Sequence, residues 1–99
     1  MPADIYSVSD PELMYEWSEL HVYVHPAHPD RYAVYCAAGC SCNYYETPEE
    51  RELRDCAPLT ATETRDRISA WLDDSEFPPQ LKAQELERAH LALRGEQTQ

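Results

Sequence analysis

The residues of this chain whose types invite chemistry are four cysteines and four histidines, and three of the cysteines lie between positions 36 and 42. The run Gly39-Cys40-Ser41-Cys42 sets two thiols one residue apart. A structural zinc ion takes four Cys or His ligands in a tetrahedron, and it lends a small domain on the order of 10 kcal/mol of folding energy. Cys40 and Cys42 are the natural members of such a set, with Cys36, Cys56 or a histidine to complete it. The spacing opposes zinc, because structural zinc loops separate paired cysteines by at least two residues, not one. The expectation is therefore no cofactor, with zinc as the alternative. In the simpler reading Gly39 takes a positive φ that other residues resist, a thiol tucks in as a small hydrophobe, and Ser41 and Asn43 bond the turn's own backbone.

Two functional readings of the same turn stand beside this one. Successive N–H groups around a glycine turn form a concavity that holds an anion. A thiol at Cys40 or Cys42 would become a nucleophile if His21, His25 or His28 stood near it as a base. No cysteine-enzyme signature accompanies the turn, and no paired acid–base or phosphate-cradling motif occurs elsewhere, so the expectation is a protein that binds and does not catalyse. Seven tyrosines and two tryptophans against one phenylalanine suit a contact surface, since tyrosine offers area with a polar tip. Tyr23 and Tyr35, grouped with His21 and His25, form either an exposed aromatic patch or a second core face. The candidate contact residues are Gly39, Cys40, Ser41, Cys42, Tyr45, Glu46, Tyr23 and Tyr35.

Around these residues the elements read as follows. Residues 1–9 form a loose, extended lead-in around Ile5, Tyr6 and Val8. Asp10-Pro11-Glu12 has the composition of a helix start, with Glu12, Glu16 and Glu19 on one face, although an extended form remains open. Leu20, Val22 and Val24 alternate with His21, Tyr23 and His25, the period of a strand. A turn over Pro26–Asp30 leads to a second alternating run, Arg31–Cys36. Pairing His25 with Arg31 sets Val24 against Tyr32, Val22 against Val34 and Leu20 against Cys36, which makes that face the core side. Thr47-Pro48-Glu49-Glu50 begins a short helix that ends near Cys56, with Thr47 as its cap. Thr60-Ala61-Thr62-Glu63 begins another over 61–73, burying Ala61, Thr64, Ile68, Trp71 and Leu72. A last helix over 79–93 carries Leu86, Ala89, His90 and Leu93, with Gly95 placed to stop it and the end frayed. The fold class is α+β: one domain with a small antiparallel sheet packed on two or three helices.

Composition bounds the partners. A 99-residue chain with 42% apolar residues suits one modest core. No run nears the roughly 20 apolar residues of a membrane span, and the start Met1-Pro2-Ala3-Asp4 lacks the basic and apolar regions of a signal peptide, so a cytoplasmic setting is expected. There reduced cysteines are the rule. The net charge of −11, with Lys82 the sole lysine, opposes direct binding to nucleic acid or anionic membrane. Residues 1–30 carry six acids and no Lys or Arg, and Asp73, Asp74 and Glu76 cluster later. Such a chain could instead imitate nucleic acid and inhibit a basic host protein, though Arg51, Arg54, Arg65 and Arg67 interrupt the later acids. Oligomeric state is not legible.

Gly39-Cys40-Ser41-Cys42-Asn43, with Tyr45-Glu46 after it and the hairpin of Trp17, Val22, Tyr23 and Tyr35 before it, resembles a family of short uncharacterised actinobacteriophage proteins. The likeness spans roughly residues 15–72. The family often has proline and phenylalanine where this chain has Asn43 to Tyr45, and Cys36 and Cys56 are not part of its motif. The resemblance implies a phage accessory protein in the cytoplasm of an infected bacterium, acting by binding a host protein in host takeover or anti-defence. It brings no established activity.

Overall fold

A computed structural model gives the fold and describes residues 4–10, 16–40, 48–75 and 77–97. Three strands, β1 (Tyr6–Ser9), β2 (Glu16–His25) and β3 (His28–Cys40), are followed by three helices, α1 (Glu50–Arg54), α2 (Ala61–Asp74) and α3 (Pro79–Gln97). The strands form one antiparallel sheet in the order β1-β2-β3. The α+β class expected from the alternating and helical periods is the one observed.

The hairpin register follows the hydrophobic pattern. Val24 pairs with Tyr32, Val22 with Val34 and Leu20 with Cys36. A one-residue slip would turn this apolar set to the opposite face, so burial fixes the register strongly. The turn departs from expectation: it is confined to Pro26-Ala27, His25 pairs with His28, and the register shifts between Val24 and His25. The residues expected to loop, 28–30, instead lie in β3, where Pro29, Asp30 and Arg31 bulge between the His25–His28 and Val24–Tyr32 pairs.

Two further expectations are corrected at the strand ends. Glu16–Glu19 lie in β2, not on a helix, because Glu16 to Glu19 pair with Cys40 to Ala37 and extend the hairpin. The Glu12, Glu16, Glu19 helical stripe therefore does not form across those residues; Glu12 itself lies outside the described residues. The lead-in is more than loose chain, since Tyr6 pairs with Val22 and Val8 with Leu20. These two side chains alternate inward, and their burial accounts for the third strand.

Both sheet faces are covered. On one, Tyr6, Val8, Leu20, Val22 and Tyr32 pack with Ile68, Leu72, Phe77, Ala89 and Leu93 of the α2–α3 layer. On the other, Tyr23 and Ala33 pack with Leu53 of α1, and Tyr35 and Cys56 flank them. Burying a Leu or Val side chain contributes about 1.5–3 kcal/mol, so five-residue α1 is held by Leu53 far more than by its own length.

The helix starts carry their expected chemistry with one change. Thr60 Oγ1 accepts from the Glu63 N–H while the Glu63 carboxylate accepts from the Thr60 N–H, and α2 buries Thr64, Ile68 and Leu72 as its period predicts. Glu49, not Thr47, is the cap residue of α1; its N–H donates to Glu52 Oε2 at 3.2 Å. Thr47 lies outside the described residues. α3 does not stop at Gly95 but runs to Gln97. A single glycine costs a helix only about 1 kcal/mol relative to alanine, too little to end it without a left-handed residue.

Candidate functional site

The histidines on the second sheet face are held by structural bonds. His25, 2% exposed, donates from Nε2 to the Cys56 carbonyl at 2.8 Å and accepts at Nδ1 from the Ala27 N–H at 3.1 Å. The two partners fix the neutral tautomer with hydrogen on Nε2. His25 thus ties the hairpin turn to the chain leaving α1. His21 sits between two carboxylates, with Nδ1 2.7 Å from Asp4 Oδ2 and Nε2 3.0 Å from Glu19 Oε1. Glu19 also accepts from Ser9 Oγ at 3.1 Å, which joins β1 to β2 through side chains. His28 is exposed, its ring centroid 5.0 Å from that of His25.

The two thiols whose surroundings are described are not activated. Burial pushes the Cys56 thiol up, and the carboxylates of Asp55 and Glu52 add to the effect while Arg67 opposes it. Cys36 is exposed at its surface, yet partial burial of its thiol still disfavours the thiolate, with Arg67 again opposing. A thiol whose pKa is raised is a poor nucleophile at neutral pH. Cys36 was expected on the core side. It keeps that register opposite Leu20 but is left uncovered, because Val34, half-buried, is the last β3 residue packed against the α2–α3 layer.

The Gly39-Cys40 half of the turn motif lies in β3, with Gly39 paired to Trp17. Gly39 does not take the positive φ expected of it: among the described residues no glycine does. It is a strand residue, where lack of a side chain matters more than backbone freedom. Ser41, Cys42, Asn43, Tyr45 and Glu46 lie outside the described residues. Tyr23 is 2% exposed beneath α1 and Tyr35 is half-buried beside it, so of the two readings of this face the covered one holds. Among the described residues no group of three His, Cys, Asp or Glu side chains is placed to hold a metal ion. Cys36 and Cys56 are described as free thiols; the Cys40 side chain and Cys42 lie outside the description.

Two features had no clear signal in the sequence. Tyr6 Oη donates to Glu85 Oε1 at 2.9 Å, and Arg88 lies 4.7 Å over the Tyr6 ring while donating to Glu85 Oε1 and the Ser7 carbonyl, each at 2.6 Å. This cluster clamps β1 to α3. Burial, then the Glu85 bond, raises the Tyr6 hydroxyl beyond its ordinary range. Between α2 and α3 lies an open groove of about 520 Å³ bordered by Arg65, Asp66, Ser69, Leu86, Glu87 and His90. Arg65 donates to His90 Nδ1 at 3.0 Å across it, so its walls mix both charge signs.

The groups left facing water are mostly acids. Glu49, Glu50, Glu52 and Asp55 around α1, Glu63, Asp66, Asp73 and Asp74 on α2, and Glu87 on α3 are all exposed. Among the described residues their cationic partners are few: exposed Arg54 reaches Glu50 at 3.2 Å and half-buried Lys82 reaches Asp73 at 3.8 Å. Surface pairs of this kind offset little charge energy, about 0–1 kcal/mol each. Among the described residues no helix is long and apolar enough to cross a membrane. No protein-family model, curated relative or solved structure matches this chain.

Proposed function

We propose that this chain is a non-enzymatic phage accessory protein that binds a host protein in the cytoplasm of the infected bacterium. The observation that carries the reading is the set of exposed carboxylates on and around α1 and α2, in a chain of net charge −11. A surface of that sign accelerates encounter with a basic partner and disfavours nucleic acid and anionic lipid. The resemblance around Gly39–Glu46 supports the phage origin, and that segment is the proposed edge of the contact. Binding needs no cofactor and no activated side chain, which agrees with the bonded state of His21 and His25 and the raised thiols of Cys36 and Cys56.

The test is affinity capture from bacterial lysate with identification by mass spectrometry, repeated at low and high salt. The expected result is a basic protein retained at low salt and released as salt rises. Reversing Asp55, Asp66 and Asp74, exposed acids whose side chains take no part in a helix cap, to lysine should weaken its capture at least tenfold. Capture that is indifferent to both salt and charge reversal would overturn the acidic-surface reading. Addition of duplex DNA tells imitation of nucleic acid from an ordinary acidic contact: only an occupied DNA-binding surface makes the two compete.

A further inference from the structure

We propose that His21 is a proton-operated clasp: with a proton on each ring nitrogen it ties the chain ahead of β1 to β2 through Asp4 and Glu19, and on losing one proton it releases Asp4. Nδ1 lies 2.7 Å from Asp4 Oδ2, and Nε2 lies 3.0 Å from Glu19 Oε1. An ionised carboxylate only accepts, so both nitrogens must donate for both bonds to stand. A neutral imidazole has one N–H, and only the imidazolium has two. His21 is 8% exposed, so water has little room to replace a bond that the ring gives up. The neutral ring therefore sets a bare nitrogen against a carboxylate, two acceptors with no proton between them.

Asp4 is the partner that leaves. Glu19 is held in the middle strand, its backbone paired with Ser9 on one side and Ala37 on the other, and its Oε2 accepts from Ser9 Oγ at 3.1 Å. Asp4 precedes the first strand. Its side chain is 38% exposed against 25% for Glu19, so a freed Asp4 carboxylate is the more readily hydrated. The next bond along the chain runs from the Ile5 N–H to the Val22 carbonyl at 2.8 Å, which makes the Ile5 amide a reporter of release. The other elements around the ring do not hold Asp4 in its place. Tyr23 stacks with His21 at 6.4 Å between centroids, and Tyr35 lies opposite it in β3. From α1, which covers this face, Leu53 is buried against Tyr23, while Glu49, Glu50, Glu52, Asp55, Arg51 and Arg54 are exposed. Arg88 of α3 reaches Ser7, opposite His21 in β1, and donates to its carbonyl and to Glu85.

The clasp needs no partner, so it stands apart from the host-binding proposal. The experiment is long-range proton–nitrogen NMR of the His21 ring together with amide exchange at Ile5, from about pH 5 to about pH 8. The expected result is two protonated ring nitrogens at the acid end and Nε2–H alone at the alkaline end. Over the same step, protection at Ile5, corrected for the intrinsic exchange rate, should fall roughly tenfold, as for loss of one charge-assisted hydrogen bond. Asp4→Asn is the control, at an exposed position ahead of the sheet where the fold is not at stake. Its amide accepts from Nδ1–H and donates to bare Nδ1, so Ile5 protection should stay level while His21 still titrates. Three results would overturn the proposal: a ring with a single proton throughout, a neutral ring that keeps Nδ1–H toward Asp4, or Ile5 exchange that takes no step in the parent or the same step in Asp4→Asn.

Discussion

His25→Leu should cost this domain about 2–3 kcal/mol of stability. His25 is nearly fully buried, and both ring nitrogens serve backbone groups. Leucine has similar bulk, so the cavity contribution is small and the loss is polar. The bond to the half-buried Cys56 carbonyl leaves an acceptor with reduced access to water, worth about 1–2 kcal/mol. The bond from the Ala27 N–H adds about 1 kcal/mol, or less, since Ala27 is exposed and water can replace the ring. A 99-residue domain holds only about 5–15 kcal/mol in total, so the change is large. Urea unfolding followed by far-UV circular dichroism measures it, and Tm should fall by roughly 10–20 °C. His25→Gln separates the two bonds: its amide N–H reaches toward the Cys56 carbonyl as Nε2 does, so the cost should drop to about 1 kcal/mol. If the leucine variant lay within about 0.5 kcal/mol of the parent, the view that His25 is a backbone clamp between turn and α1 would be refuted.

Tyr32→Phe removes the hydroxyl that donates to the Leu93 carbonyl at 3.0 Å and should cost about 1 kcal/mol in urea unfolding, with no change in m-value. Thr60→Ala should cost about 1 kcal/mol through loss of the α2 cap. The backbone bond from Thr60, then its hydroxyl, holds the Glu63 carboxyl below its ordinary value; its contribution is therefore present above the unfolded-state pKa and is lost as pH falls through the folded one, so Glu63→Gln should flatten the acid limb of a stability–pH curve. Tyr6 behaves in the opposite sense. Its hydroxyl is raised in the folded chain, first by burial and then by Glu85, so its stabilising share is complete below the unfolded value of about 10 and declines above it. Alkaline difference spectroscopy should show Tyr6 among the tyrosines that ionise only with unfolding, and Tyr6→Phe should reduce the amplitude of that delayed step by one tyrosine.

Much of the fold was legible in local pattern. Alternation from Leu20 to Cys36 gave the hairpin and its register, and Thr60 to Glu63 gave the start of α2, because both signals are carried by neighbours in sequence. The errors lie where a distant segment decides. Asp10-Pro11-Glu12 has helix-start chemistry, yet Glu16–Glu19 are strand because residues 37–40 are there to pair with them. Gly95 has helix-stop chemistry, yet α3 continues. Pro26–Asp30 has turn composition, yet only Pro26-Ala27 turn.

The candidate site was less legible than the fold. Gly39-Cys40-Ser41-Cys42 stood out by composition, but its first two residues proved to be the end of a strand. By itself the sequence determined charge, fold class and the apolar pattern of β2 and β3, since these follow from residue type and period alone. Only the tertiary structure decided that the His21–Tyr23–His25 face is buried, because that required Leu53, thirty residues on from Tyr23, to fold back over it. The same holds for the bridge from Leu59 to Tyr32: no residue type records that the chain after α1 returns to bond the hairpin, because that contact exists only once the segment between them has folded back.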